Sequence, residues 1–283
     1  YLDDDDDMSR VAQNELAARA KKERSIKVYN VGLSGTASDD HVAMIAQRLV
    51  HLEPDLIVVF AGINDQRRSI QGFDYLHYTL YAAGPARPFY KRWLLQSQIV
   101  RRLAYLKRRV DPTPESVLET RTLRSSYARA ALLQQSTPET DAAVRVDTTS
   151  YRNNLRSMVG IARANRFVMV FMTQPSTWNS AVDPGARDRH WMRVYDGVVY
   201  REDAMDSALE QLNDVMRTVA AEDSVPLYDL VRTMPKSLEF FYDDCHFTLA
   251  GALAAGRGLA QFLVDRVLVP CADDPSIESG GRE

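Results

Sequence analysis

The chain has 283 residues, of which 45% are apolar and 26% are charged, so it can bury one sizeable core. Its formal net charge of −3 gives no global electrostatic case for nucleic-acid binding. No apolar run reaches the roughly 18 residues that a membrane-spanning helix needs. The two cysteines, Cys245 and Cys271, are too few for a disulfide framework and lack metal-ligand spacing.

Apolar, β-branched runs alternate along the chain with segments of helical period. The predicted strands are Ile26 to Val31, Leu56 to Ala61, Phe167 to Thr173 and Val225 to Leu230. The predicted helices are His41 to Leu52, Tyr151 to Asn165, Ala204 to Glu222 and Thr248 to Val267. Continuous apolar strands separated by helices predict a mostly parallel sheet covered on both faces, which is a three-layer α/β/α fold.

The stretch from Gln66 to about Thr149 departs from this alternation and predicts a helical insertion in a single domain that spans residues 1–270. Within the insertion, residues 87–110 mix apolar side chains with many Lys and Arg residues, as an amphipathic basic helix does. Three interpretations stay open: a solvated helix packed on the core, a cap over an active site, or a contact with a membrane surface or an anionic polymer. Residues 271–283 predict a polar, frayed tail.

Two short motifs follow the first two predicted strands. Asn30-Val31-Gly32-Leu33-Ser34-Gly35 closes the first strand, and Gly62-Ile63-Asn64-Asp65 closes the second. The carboxyl ends of parallel strands form the edge where ligands bind in open α/β sheets. Asn64 offers a side-chain N–H there and Gly35 a backbone N–H, and such donors stabilise the oxyanion of acyl transfer. The alternatives are Gly32 as the backbone donor and a turn-forming role for Asn64.

The segment Tyr242-Asp243-Asp244-Cys245-His246-Phe247-Thr248 carries an Asp three residues before a His. With an unperturbed pKa near 6.5, a histidine suits a general base, and an aspartate that accepts from Nδ1–H fixes its tautomer. We therefore predict His246 as the base and Asp243, rather than the adjacent Asp244, as its partner. A metal site on Asp243, Asp244 and His246 is weakly indicated, because no second histidine cluster lies nearby in the sequence.

These segments resemble the second, third and fifth sequence blocks of the SGNH (GDSL-type) hydrolases. The resemblance implies a flavodoxin-like fold with strand order 2-1-3-4-5, and ester hydrolysis without a metal or organic cofactor. It implies Gly35 and Asn64 as oxyanion donors, His246 as base and Asp243 as its orienter. Thr173-Gln174-Pro175 resembles the variable fourth block, so Gln174 and Trp178, together with Asp65, are predicted to contact substrate.

The first block of that family carries the nucleophilic serine and has no counterpart in this sequence. We expect the serine and the first strand in a segment upstream of Tyr1, with Ser34 and Ser38 as alternatives within the chain. In the implied strand order the first strand lies inside the sheet, so without it two neighbouring strands would be left with unpaired backbone groups.

The substrate class implied is a small-molecule or glycan ester. Two other functions stay open at this point: an O-acyltransferase that acts on a polysaccharide or glycan, and a non-catalytic binding protein that keeps the fold. A nucleotide-binding Rossmann domain is disfavoured, because no Gly-x-Gly-x-x-Gly follows a predicted strand.

Overall fold

A computed structural model describes residues 7–19, 26–33, 35–71, 130–179 and 184–268. The predicted basic helix at 87–110, most of the predicted insertion, Ser34 and the predicted tail lie outside these residues. The strands are β1 (Leu56–Phe60), β2 (Glu139–Thr140), β3 (Val168–Met172), β4 (Val194–Tyr195), β5 (Val198–Tyr200) and β6 (Leu227–Tyr228). The helices longer than one turn include α1 (Met8–Arg19), α2 (Ser38–Gln47), α3 (Ile63–Ile70), α4 (Thr148–Asn165), α5 (Glu202–Glu222) and α6 (Leu249–Leu263).

The central sheet has the order β1-β3-β6, and both pairings are parallel. Successive residues of a strand point to opposite faces, and the core is divided accordingly. Met169 and Phe171 pack with residues of α2, α4 and α5, whereas Val170 and Met172 pack with residues of α1 and α6. The predicted three-layer α/β/α architecture with a parallel sheet is therefore confirmed. None of the described helices is long and apolar enough to cross a bilayer.

Residues 26–33 differ from the prediction, because they form no strand in the structure. The side chain of Gln13, on α1, takes part of their backbone hydrogen bonding. Its amide donates to the carbonyl of Ile26 at 2.7 Å, and its carbonyl accepts from the N–H of Val28. A helix side chain thus occupies backbone groups that a neighbouring strand would pair with, and the strand predicted at 26–31 is wrong.

The helical insertion is predicted to start at about Gln66. Gln66 lies within α3 and is completely buried, and its side-chain amide donates to the carbonyl of Met205 at 2.8 Å. The compact part of the fold therefore continues to the end of α3, at Ile70.

A second, small sheet with the order β2-β5-β4 was not predicted. β4 and β5 form an antiparallel hairpin, and both residues of the turn have positive φ, 45° at Asp196 and 80° at Gly197. Two successive residues with positive φ are characteristic of the type I′ turn, and Asp-Gly is a favoured sequence for it. The hairpin follows Trp191, which contacts the site described below.

Helix α6 begins as predicted. The hydroxyl of Thr248 accepts the N–H of Gly251 at 3.2 Å and caps the helix. Gly258 lets the helix approach the sheet, because a Cβ at this position would lie 2.0 Å from the hydroxyl of Tyr228 at the end of β6. The helix thereby fixes the loop that precedes it, which carries Asp243 and His246.

Candidate active site

Loops that follow β1, β3 and β6 meet at one edge of the sheet. The rings of Phe60, at the end of β1, and Phe247 stack with centroids 6.3 Å apart. In the loop after β3, the N–H of Thr177 donates to the carbonyl of Asp244 at 2.9 Å. The segment of residues 242–247, here called the base loop, is therefore held at the carboxyl edge, where the motifs predicted it.

Asp243 and His246 are joined as the sequence predicts. Nδ1 of His246 lies 2.8 Å from Oδ2 and 2.9 Å from Oδ1 of Asp243. Asp243 is fully buried, and its carboxylate also accepts the backbone N–H groups of Cys245 and His246 and the indole N–H of Trp191, at 3.0, 2.9 and 3.2 Å. These contacts fix the carboxylate, which in turn directs the imidazole.

The imidazole of His246 presents its other nitrogen outward. Its side chain is 48% exposed, and among the described residues Nε2 has no hydrogen-bond partner. Partial burial acts to lower the pKa of His246, but its hydrogen bond to Asp243 and the charges of Asp243 and Asp244 outweigh burial and raise that pKa. Tyr242 stacks on the ring at a centroid distance of 5.4 Å. The arrangement suits a base that accepts a proton at Nε2.

The side chain of Asp244 bonds to residues other than His246 and holds the base loop in place. Its buried carboxylate accepts the indole N–H of Trp178 at 2.7 Å and the backbone N–H groups of Trp191 and Met192 at 2.9 and 3.2 Å. Burial raises the pKa of Asp244 to about 6, with a further increase from the charge of Asp243. The prediction that Asp243, not Asp244, pairs with the histidine therefore agrees with the geometry.

A buried chain of hydrogen bonds links the base loop to Thr177, His190 and Glu202. The hydroxyl of Thr177 lies 2.9 Å from the carbonyl of Asp243 and 2.8 Å from Nε2 of His190, and Nδ1 of His190 lies 2.7 Å from Glu202. A carbonyl only accepts, so the hydroxyl donates to Asp243 and His190 donates to the hydroxyl. His190 and Thr177 were not predicted, since nothing in the local sequence distinguishes them.

The predicted oxyanion donors lie in and beside residues 35–37, here called the donor loop. The side-chain N–H of Asn64 donates to the carbonyl of Thr36 at 2.9 Å, which leaves its second amide hydrogen for another acceptor. Gly35 is exposed and has φ of 77°, a backbone conformation that favours glycine. Among the described residues its N–H has no hydrogen-bond acceptor.

The residues predicted to contact substrate are all buried in this structure. Trp178 is completely buried with its indole bonded to Asp244, and Gln174 is 4% exposed and donates to the carbonyl of Pro175. Asp65 is 2% exposed, because its carboxylate accepts the N–H of Ser38 at the start of α2. All three side chains therefore have contacts inside the framework, and their contact with substrate stays a prediction.

Two other side chains near the site are poorly suited to nucleophilic roles. Ser38 is fully buried and its hydroxyl is bonded to Asp65, which argues against it as the nucleophile. Burial raises the pKa of the Cys245 thiol well above its usual value, and the charges of Asp243 and Asp244 add to this. Asp243, Cys245 and His246 each offer a ligand atom within 4.8 Å of the others, but a metal would need the thiolate and the Nδ1 that Asp243 already engages.

The family of the chain follows from its sequence. A sequence model of the GDSL-like Lipase/Acylhydrolase family matches residues 3–254. The chain belongs to this family. The GDSL-like chain is accordingly an SGNH-type hydrolase of ester bonds, as the three motifs implied. A search of curated proteins by sequence finds no significant match.

Solved structures resemble the GDSL-like chain at low sequence identity. Axe2, an acetylxylan esterase from Geobacillus stearothermophilus, superposes with a TM-score of 0.50 at 17% identity, over 91% of this chain and 80% of that one. A catalytic mutant of Axe2 gives a TM-score of 0.51 with the same identity and coverage. LAE5, an alpha/beta hydrolase enzyme from the metagenome of Lake Arreo in Spain, gives 0.49 at 16% identity, over 91% of this chain and 81% of that one. The likeness to Axe2 shows that the fold is shared.

Proposed function

We propose that this protein hydrolyses carboxylic esters through an acyl-enzyme intermediate, with His246 as general base and Asp243 as the residue that orients it. The observation that carries the proposal is the buried carboxylate of Asp243 bonded to Nδ1 of His246, whose Nε2 is left open toward solvent. This is the arrangement of base and orienter in Ser-His-Asp hydrolases. Neither the family nor the described residues favour transfer of the acyl group to a glycan instead.

In the first step a serine hydroxyl attacks the ester carbonyl carbon, and Nε2 of His246 takes the hydroxyl proton. A C–O bond forms to carbon, and the carbonyl oxygen becomes an oxyanion. The second amide hydrogen of Asn64 and the N–H of Gly35 are the proposed donors to that oxyanion. Asp243 stabilises the imidazolium that forms, since its carboxylate lies beside Nδ1.

The intermediate collapses when the bond to the alcohol oxygen breaks and the imidazolium returns its proton to that oxygen. Water then attacks the acyl carbon while His246 takes a proton from it. The bond from that carbon to the serine oxygen breaks, the imidazolium returns the proton to the serine oxygen, and the acid is released. In this proposal the serine is not Ser38, because that hydroxyl is buried against Asp65. In the family the attacking serine belongs to the first sequence block, and the proposal requires such a hydroxyl at the carboxyl edge within reach of Nε2 of His246.

The test is hydrolysis of p-nitrophenyl acetate by the natural full-length protein and by His246→Ala. We expect His246→Ala to lower kcat/KM at least about 10⁴-fold, because the serine loses its proton acceptor. His51 lies in a short 3-10 helix next to α2 and is exposed, so His51→Ala is the matched control and should leave the rate unchanged. Equal rates for the natural protein and His246→Ala would rule out His246 as the base.

A further inference from the structure

A cavity of about 250 Å³ lies beside the base loop, on the side of the β4–β5 hairpin. Arg67 and Trp191 line it together with Tyr195, and Ala130, Leu133, Val194, Asp196 and Gly197 complete its described walls. Trp191 joins the cavity to the site, because its indole N–H donates to Asp243 at 3.2 Å and its backbone N–H to Asp244 at 2.9 Å. The cavity is therefore one side chain away from the partner of His246.

Arg67 is the charged group that distinguishes this cavity. Its guanidinium carbon lies 4.5 Å from the centroid of the Trp191 ring, which is a cation–π geometry. Among the described residues no carboxylate lies within 4.0 Å of it, and Asp196 in the cavity wall makes no ion pair with it. The next residue, Arg68, differs, because its charge is neutralised by ion pairs with Asp39 and Asp40.

Partial burial of a guanidinium without a carboxylate partner costs free energy, because the charge loses hydration and no opposite charge compensates for the loss. Burial lowers the pKa of Arg67, but a guanidinium stays protonated at neutral pH. The contact with Trp191 holds the guanidinium, and among the described residues no acceptor bonds its N–H groups, which suits a planar, bidentate acceptor.

We propose that this cavity binds a carboxylate carried by the ester substrate, with Arg67 as its partner and Trp191 and Tyr195 as its apolar walls. The substrate class would then be an ester whose alcohol half bears an acidic group. This inference rests on the proposed function, since it names the substrate of the same site. Arg67 would set substrate selectivity, while the reacting atoms stay with His246 and the oxyanion donors.

The test compares two matched esters, 4-acetoxybenzoate and its methyl ester, which release the same acetyl group and differ in the carboxylate. We expect the natural full-length protein to prefer the anionic ester, and Arg67→Gln to reduce the ratio of the two kcat/KM values at least about ten-fold. Arg163→Gln is the control, because Arg163 lies near the end of α4, remote from the carboxyl edge, and pairs with Asp223. This control should leave the ratio unchanged.

A ratio that Arg67→Gln does not alter would overturn the inference, and so would an equal loss on both esters. Calorimetric binding of 4-hydroxybenzoate tests the cavity without catalysis. Binding by the natural protein that Arg67→Gln abolishes would uphold the cavity even if neither ester were cleaved, in which case the proposed function alone would fail. No binding by the natural protein, together with no preference for the anionic ester, would reject the cavity as a carboxylate site.

Discussion

The base loop is held by hydrogen bonds to buried side chains, whereas the donor loop is more exposed at Gly35. Asp243 and Asp244 are both completely buried and together accept from Trp178 and Trp191. Gly35, by contrast, is exposed, and Asn64 reaches the donor loop through a hydrogen bond to Thr36. The difference indicates that buried side chains hold the proposed base, whereas Gly35, one of the proposed oxyanion donors, lies at the surface.

Asp243→Asn changes the base loop and has the largest expected effect of the three changes that compare the two loops. An asparagine keeps the shape but no longer fixes the tautomer of His246, so we expect kcat to fall about 10³- to 10⁴-fold. The charge and hydrogen bond of Asp243 raise the pKa of His246 against the effect of burial, so their loss lowers that pKa. The acid limb of the kcat/KM profile should therefore move to lower pH. A limb that stays in place would mean that another group controls the base.

Asn64→Ala removes a side chain that bonds the donor loop, and it should lower activity less than Asp243→Asn does. Loss of one oxyanion donor is expected to lower kcat about 10²- to 10³-fold, measured with p-nitrophenyl acetate in the natural full-length protein. Because the side chain of Asn64 makes one hydrogen bond among the described residues, to the carbonyl of Thr36, the free energy of unfolding should change little. Asn165→Ala removes an exposed amide at the end of α4 and serves as control. A loss of activity no larger than the control's would remove Asn64 from the oxyanion site.

Thr177→Val has the smallest expected effect on rate, and its effect on stability distinguishes the two loops best. Thr177→Val keeps the side-chain shape but leaves the carbonyl of Asp243 and Nε2 of His190 without their shared partner. We expect the free energy of unfolding in urea to fall by about 1–3 kcal/mol. Thr36→Val is the matched change in the donor loop, where the hydroxyl donates to Leu33, and it should cost at most about 1 kcal/mol. Equal losses would show that the two loops are held equally.

Much of this fold could be predicted from sequence periodicity. The strands β1, β3 and β6 each fall within a predicted apolar run, and the predicted helices were found within a few residues. The run at 26–31, in which Lys27 and Asn30 interrupt the apolar residues, forms no strand. Periodicity reports burial, whereas a strand also needs a neighbour, and here Gln13 takes some of those hydrogen bonds.

The site was predictable in its local parts only. The spacing of Asp243 and His246 predicted their hydrogen bond because three residues separate them in one loop. Trp191 and Thr177 lie more than 50 positions away, and their contacts with the base loop depend on tertiary packing. One available signal was missed: Asp196-Gly197 between apolar residues predicts the hairpin that carries Tyr195.

The raised pKa of about 6 at Asp244 has a consequence for how the protein should be kept and used. A carboxyl whose pKa is higher in the folded than in the unfolded chain adds stability below its ordinary pKa of 3.8 and loses it as pH rises toward about 6. His246, whose folded pKa is also raised, loses its contribution as pH rises through that value. As the proposed base, however, His246 must be deprotonated. These two groups therefore favour the folded state in mildly acidic buffer, whereas the proposed turnover requires a pH above the raised pKa of His246.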